Sequence, residues 1–453
     1  MVKSAILRRI TTYPIIMLNK NRDILTIGFA LFAMFFGAGN LLLPPYLGVQ
    51  VGTYVWITIL AFSLTGILLP FMGILAVVQS GNSIHDLGNR VHPYLAPVLG
   101  SIIILCIGPL IAIPRTAATT YEVGILPSFP SFSPILASII YFGITWALTI
   151  RPSKVVDIIG NILTPVLLVL LLILIGVGVF APQAAYNVTD LTSMQSFTLG
   201  FTEGYQTLDV LASVIFAGII ISSAADKGYR DKGSKSRVVI SSGALAAVCL
   251  LIIYGGLLYL GSTSGISDTG ISRSALLIHI TQSVLGDYGM IAITFSIALA
   301  CLTTAVALTS AVGLFFSKLS GGKISYTMLV TLCCVVSGIL AVNGVDVIIN
   351  FAYPPLAFVY PIVITLVLYI VIFGHKVKSR APYVGALIAS TIVGALSLFK
   401  VLGMWDEQTL ATLNMIPFFE MDLGWVIPSI IGFALGLAWK KTSDKSMNAD
   451  LQD

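Results

Sequence analysis

Charge is scarce in this sequence. Asp, Glu, Lys and Arg make up 9% of the 453 residues, where a soluble domain carries about 25%. A chain this poor in charge cannot cover itself with a surface that water tolerates. Histidine is sparse too. His85, His92, His279 and His375 are scattered between apolar runs, with no HExxH, no GxSxG and no clustered His/Asp pair, so a membrane-embedded hydrolase has no visible machinery. The five cysteines, Cys106, Cys249, Cys301, Cys333 and Cys334, lie inside apolar runs and form no CxxC. That pattern offers neither a zinc site nor a disulfide framework; small packing residues are the plain reading. Basic stretches interleaved with aromatics are missing, which argues against nucleic acid as a partner. No bound cofactor and no obligate protein partner is suggested.

What the chain has in abundance is apolar length. Hydrophobic residues make up 57% of it, and runs of about 20 residues recur, each long enough to cross a hydrocarbon core. Backbone polar groups find no partner in lipid, so the spanning element is the helix. A β-barrel would need alternating segments of about 10 residues, and Ile162–Phe180 is too long and too evenly apolar for that. The runs predict an all-α membrane protein with twelve transmembrane helices at 24–51, 53–79, 94–121, 134–150, 155–180, 198–223, 237–261, 286–316, 324–343, 346–373, 382–400 and 423–440. Placing the N-terminus inside puts every lysine and arginine except Arg115, Arg273 and Lys400 on the cytoplasmic side. The expected layout is a cytoplasmic tail at 1–23, a twelve-helix domain at 24–440 and a second cytoplasmic tail at 441–453. The apolar stretch Ile15–Leu18 is too short for a signal peptide and has no A-x-A after it. Ser272–Gly286 has a helical look, with Leu276, Leu277 and Ile280 near one face.

The first span is interrupted. Gly28–Gly48 is apolar throughout except for Gly37-Ala38-Gly39-Asn40 at mid-depth. Two glycines weaken a helix by about 1 kcal/mol each. Asn40 is a good N-cap for a new helix beginning at Leu41, and Pro44 and Pro45 lie close to that start. Two half-helices joined by an unwound stretch are expected. Amides near Gly39–Leu42 could hold a carboxylate, and carbonyls near Ala33 and Phe36 a cation. Such discontinuous helices mark binding sites in many secondary transporters. The competing interpretation is a glycine-rich packing face with a proline kink.

Span six is interrupted as well. Within Gly200–Ile221, Glu203, Gly204, Gln206, Thr207 and Asp209 break an apolar run. Acids inside a span are costly and usually functional, unless these two sit at the outer interface and the span begins later. Span six answers to span one if the chain consists of two inverted five-helix repeats. In span eight, Thr303 and Thr304 follow Ala300 closely. Adjacent hydroxyls could serve a sodium ion, or simply bond back to their own helix.

The segments GFALFAMFFGAGNLLLPPYLG (28–48), GPLIAIPRTAATTYEVGI (108–125) and GYQTLDVLASVIFAGIII (204–221) resemble the bacterial branched-chain amino acid:cation symporters, the BrnQ-type carriers. That family is similar to the wider amino acid–polyamine–cation superfamily. The resemblance implies two inverted five-helix repeats, about 24–180 and 198–373, plus two further helices at 382–440, with helices 1 and 6 broken. It also implies a sodium site made by Ala33 and Phe36 carbonyls with Ala300, Thr303 and Thr304, where Thr304 stands in place of the usual Ser.

The expected function is sodium-coupled import of leucine, isoleucine and valine across the bacterial cell membrane. Gly37, Ala38, Gly39, Asn40, Tyr205 and Thr207 would bind substrate, and Glu203 and Asp209 would serve coupling or gating. Arg115 is placed near the outer end of span three, which leaves the carboxylate to the backbone amides. Phe36, Ala38 and Tyr205 are expected around the side chain. The partners would be the amino acid, Na⁺ and lipid. A proton-coupled carrier using Asp209 or Glu203 is the nearest rival; a channel would show rings of like groups, and none is visible.

Overall fold

The computed structural model describes residues 20–150, 154–266 and 270–438. The two tails lie almost entirely outside the described residues. The structure is all-helical among those described. Helix α1 (Lys20–Phe35) is followed by α2 (Ala38–Val51), α3 (Val55–Ser63) and α4 (Leu69–Ser80). A short α5 (Ile84–Asn89) precedes α6 (Leu95–Leu105) and α7 (Ala112–Thr119). Then come α8 (Pro134–Ile150), α9 (Lys154–Phe180), α10 (Ser193–Glu203), α11 (Asp209–Asp226) and α12 (Lys232–Ser262). The chain closes with α13 (Arg273–Leu319), α14 (Tyr326–Ala341), α15 (Val345–Phe373), α16 (Ala381–Val401), α17 (Glu407–Leu413) and α18 (Val426–Ala438).

Seven helical segments among the described residues are long and apolar enough to cross a membrane by length and composition, and shorter apolar helices include α8, α14 and α18. Their outer faces carry large exposed apolar side chains such as Ile139, Val169, Leu332 and Ile392. In water such surfaces would drive aggregation; against lipid tails they are the compatible choice.

Spans one and six are both discontinuous. Helix α1 stops at Phe35, and Gly37 takes an extended conformation (φ −105°, ψ −175°) before α2 begins at Ala38. Gly37, not Asn40, is therefore the N-cap. Asn40 sits one turn further in, because its side chain is recruited across the break rather than to the helix end. The earlier start also leaves Pro44 and Pro45 deeper inside α2 than the sequence suggested. Helix α10 gives way to a 3₁₀ turn over Gly204–Thr207. Leu208 then adopts a left-handed conformation (φ 66°, ψ 6°) before α11 starts. That region is unfavourable for a side chain as bulky as leucine.

A third break was not expected. Between α6 and α7 the chain passes through a π-helical turn, Cys106–Leu110, in which Gly108 is non-helical (φ −96°, ψ −122°), and Ile111 is irregular as well. Helix α13 bends at Gly286, whose φ of 67° suits glycine. The part before the bend has the helical character read from Ser272–Gly286 and buries Leu276, Leu277 and Ile280.

The core forms around α1, α2, α11 and α12, where Leu31, Phe32, Leu42, Val210 and Leu257 are fully enclosed. Helices α2 and α12 approach backbone to backbone. A Cβ on Gly261 would lie 1.9 Å from the Pro45 carbonyl oxygen, and one on Gly48 would lie 2.1 Å from that of Leu258. Small residues permit this closeness in membrane bundles.

Candidate functional site between the broken helices

The breaks in spans one and six meet. Asn40 Nδ2 lies 2.7 Å from the Phe35 carbonyl oxygen, and 3.0 and 2.8 Å from the two carboxylate oxygens of Asp209. It also bonds the Tyr254 hydroxyl of α12, which donates to Asp209 Oδ2 at 3.1 Å. Asn40, Asp209 and Tyr254 are all buried. One amide thus joins the end of α1, the start of α11 and the middle of α12. The Asp209 side chain stays at this depth because donors surround it. The Tyr254 ring stacks on Phe36 and meets Phe62 edge-on, which fixes its hydroxyl.

Geometry at the first break leaves backbone groups open. The Gly37 amide donates to Phe35 O at 2.8 Å. In a continuous helix it would have served Ala33 O, four residues back. Phe36 lies between the two helices. At the start of α2 no side chain caps the first turn, so the amides there point forward without an intrahelical acceptor.

Thr207 Oγ donates to Gly204 O at 2.9 Å and accepts from the Asp209 amide at 3.3 Å, which secures the 3₁₀ turn. Gly37, Ala38, Asn40, Thr207, Asp209 and Thr304 line one small cavity of about 30 Å³. That is room for one or two waters. Apolar residues on its wall include Phe35, Ile107, Ala212, Phe216 and Leu308.

Several expected placements are corrected. Arg115 is not near an outer opening; it is 2% exposed and lines this cavity. Its Nη1 donates to the Gln206 carbonyl at 2.9 Å. Its guanidinium lies on α2 so closely that a Cβ on Gly39 would be 2.2 Å from Nη2. The signal was legible, since an arginine inside a span is costly unless it has work there. The helical segment runs on to Ile125, which leaves Arg115 well inside it. Phe36 and Tyr205 are not on the cavity wall. The Tyr205 ring stacks on Tyr360 at 4.5 Å, and its carbonyl accepts the Tyr360 hydroxyl. Glu203 ends α10, half-buried, and does not line the cavity. The hydroxyls of Thr303 and Thr304 both bond back to Ala300 O, at 2.9 and 3.0 Å. Thr304 nonetheless lies beside the break, its methyl 3.7 Å from where a Gly37 Cβ would be.

A family model described as branched-chain amino acid transport protein matches residues 20–443. The chain is 35% identical to the branched-chain amino acid permease BraB of Bacillus subtilis over 422 residues, covering 92% of this chain and 95% of that one. It is also 35% identical to the permease BrnQ of the same organism, covering 91% and 96%. Among solved structures it is similar to Mhp1, a nucleobase-cation-symport-1 family transporter in a closed conformation with bromovinylhydantoin bound. The TM-score is 0.59 at 13% identity, over 91% of each chain. At that identity the likeness is one of fold.

Proposed function

This chain belongs to the branched-chain amino acid transport family, a multi-pass membrane transport protein rather than an enzyme, and from that premise we propose that it imports leucine, isoleucine and valine with sodium by alternating access. The observation that carries the reading is the meeting of two interrupted helices at Asn40 and Asp209 inside the bundle. Discontinuous helices lining a buried site are the usual means by which secondary carriers expose backbone groups to solute and ion.

In this reading the chain crosses the membrane twelve times as two inverted five-helix repeats with two added helices, and both termini face the cytoplasm. The substrate carboxylate meets the amides of Gly37–Asn40 at the positive end of α2. The ammonium meets Asp209 and the carbonyls of the 3₁₀ turn near Thr207. The side chain lies among Phe35, Ile107, Phe216 and Leu308 once the cavity widens beyond its present volume of about 30 Å³ to admit it. One methylene in such a pocket is worth about 1–3 kcal/mol, so the three substrates compete within modest factors. Glutamate and lysine are rejected because each buries an unpaired charge.

Sodium is assigned to Ala33 O, Phe36 O, Ala300 O and the hydroxyls of Thr303 and Thr304. Supporting this are the Gly37 amide turned away from Ala33 O and the position of Thr304 against the break. Both hydroxyls would rotate from Ala300 O toward the ion. A second reading, proton coupling through Asp209, is favoured by the burial of that carboxylate at the crossing. Purified protein in liposomes, loaded with separate Na⁺ and proton gradients, decides between them. Labelled leucine should accumulate with an inward Na⁺ gradient at equal pH on both sides. Accumulation driven only by the proton gradient would transfer the coupling role to Asp209, and uptake no greater than in empty liposomes would end both readings.

A further inference from the structure

The cavity has a charge pattern beyond what the sodium-coupled reading uses. Asp209 supplies one anionic pole. Arg115 supplies a cationic one, 2% exposed and facing the same space. Among the described residues Arg115 forms no ion pair with a carboxylate; its bond goes to a neutral carbonyl, that of Gln206. Its Nε is buried without a partner, and so is Oε1 of Gln206. Ala38 and Asp209, the first residues of α2 and α11, line the same cavity, so the positive ends of both helices lie at its wall. Asp209 offsets part of the Arg115 charge across the cavity without pairing with it directly. A buried guanidinium near two positive helix ends that lacks a directly hydrogen-bonded carboxylate is costly to maintain.

We propose that Arg115 is the charged anchor for the substrate's α-carboxylate, so that the cavity reads both ends of a zwitterionic amino acid, carboxylate at Arg115 and the α2 amides, ammonium at Asp209. The proposal rests on the amino-acid reading above and adds a side chain to the backbone anchor. The geometry suits it. With Nη1 held by Gln206 O, the Nε–Nη2 edge of the planar fork remains for a bidentate carboxylate. Gly39 is required because any Cβ there would displace the guanidinium. The bond to Gln206 O also ties the anchor, carried on α7, to the unwound stretch of span six. A carboxylate arriving at Arg115 therefore acts on both interrupted spans at once.

The test is displacement of labelled leucine from purified protein in nanodiscs by unlabelled leucine and by leucinamide, which lacks only the carboxylate charge. Wild type should prefer leucine by about 10- to 100-fold, the range for one hydrogen-bonded charge. Arg115→Gln should bring that ratio close to one, and Arg115→Lys should keep part of it. Gly39→Ala should behave like Arg115→Gln. A purely structural arginine would change the amount of folded protein and leave the ratio alone. An unchanged ratio in Arg115→Gln overturns the proposal. So does a wild type that binds leucinamide as tightly as leucine, which needs no variant. A wild type that binds no leucine sinks the amino-acid reading itself and this inference with it.

Discussion

At the scale of single residues the crossing depends on Asn40, whose amide touches Phe35 O, Asp209 and Tyr254. Tyr254→Phe removes one hydroxyl and keeps the ring against Phe36 and Phe62. A typical hydrogen bond contributes about 1 kcal/mol, so leucine affinity should fall about 5-fold while the thermal unfolding midpoint in detergent barely moves. Asn40→Ala leaves the buried Asp209 short of a donor and should cost about 10- to 100-fold. Equal effects of the two substitutions would show that Asn40 has no special place. Thr304 separates the sodium reading from plain back-bonding. Thr304→Val should raise the Na⁺ concentration for half-maximal uptake, and Thr304→Ser should restore it. If valine leaves the Na⁺ dependence unchanged, the hydroxyl serves only its own helix. Asp209 was marked by its charge inside an apolar run, but two placements stayed open until its burial was known. Arg115 is equally visible, but the sequence alone leaves it near the outer end of its span, because a span boundary uncertain by a few residues decides whether an arginine is at the surface or inside.

At the scale of elements, breaks follow local chemistry and were legible where glycine and polar residues cluster. Gly37 and Gly39 beside Asn40, and Gly204 through Asp209, interrupt the chain close to where those residues stand. The break at Gly108–Ile111 also has a local cause, a Gly-Pro pair, but no polar residue drew attention to it. Asn40 shows the limit of local reasoning. It has the right chemistry for an N-cap, yet a tertiary partner 169 positions away claims its side chain. Close helix pairs give a second prediction at this scale. Gly261→Ala would force α12 away from the Pro45 carbonyl, with only backbone to yield. Overpacking of this kind costs about 1–3 kcal/mol, to be read as a lowered unfolding midpoint. By contrast Gly143→Ala, where a Cβ meets nothing within 4 Å, should be silent. Comparable midpoints for the two variants would contradict the packing account.

At the scale of the whole molecule, ties between distant segments lie on either side of the broken first span. On one side Asp23 at the start of α1 accepts from Lys227 at 3.1 Å and from the Tyr229 hydroxyl at 2.9 Å, tying spans one and six together. On the other, Arg273 pairs with Asp346 at 2.5 Å and lies over the Tyr46 ring, 4.3 Å from its centroid. These ties join residues far apart in sequence, and no local pattern announces them. A partly exposed ion pair contributes about 1 kcal/mol or less, so each should bias the opening of its side only about 2- to 5-fold. With Ala212→Cys as reporter in the cavity wall, Asp23→Asn should speed labelling by a charged thiol reagent from the side of residue 20, and Asp346→Asn from the opposite side. The native cysteines Cys106, Cys301, Cys333 and Cys334 are buried, and the half-buried Cys249 is replaced by serine in every variant to keep the background low. Identical labelling from both sides in both variants would remove the ties from the account. The central claim is that this chain is a carrier whose site opens to one side at a time, and leucine counterflow tests it most directly. Proteoliposomes preloaded with unlabelled leucine, at equal Na⁺ and pH across the membrane, should draw in labelled leucine to a transient overshoot, and Asn40→Ala should flatten it; labelled leucine that only equilibrates, with no overshoot in the wild type, would contradict the account.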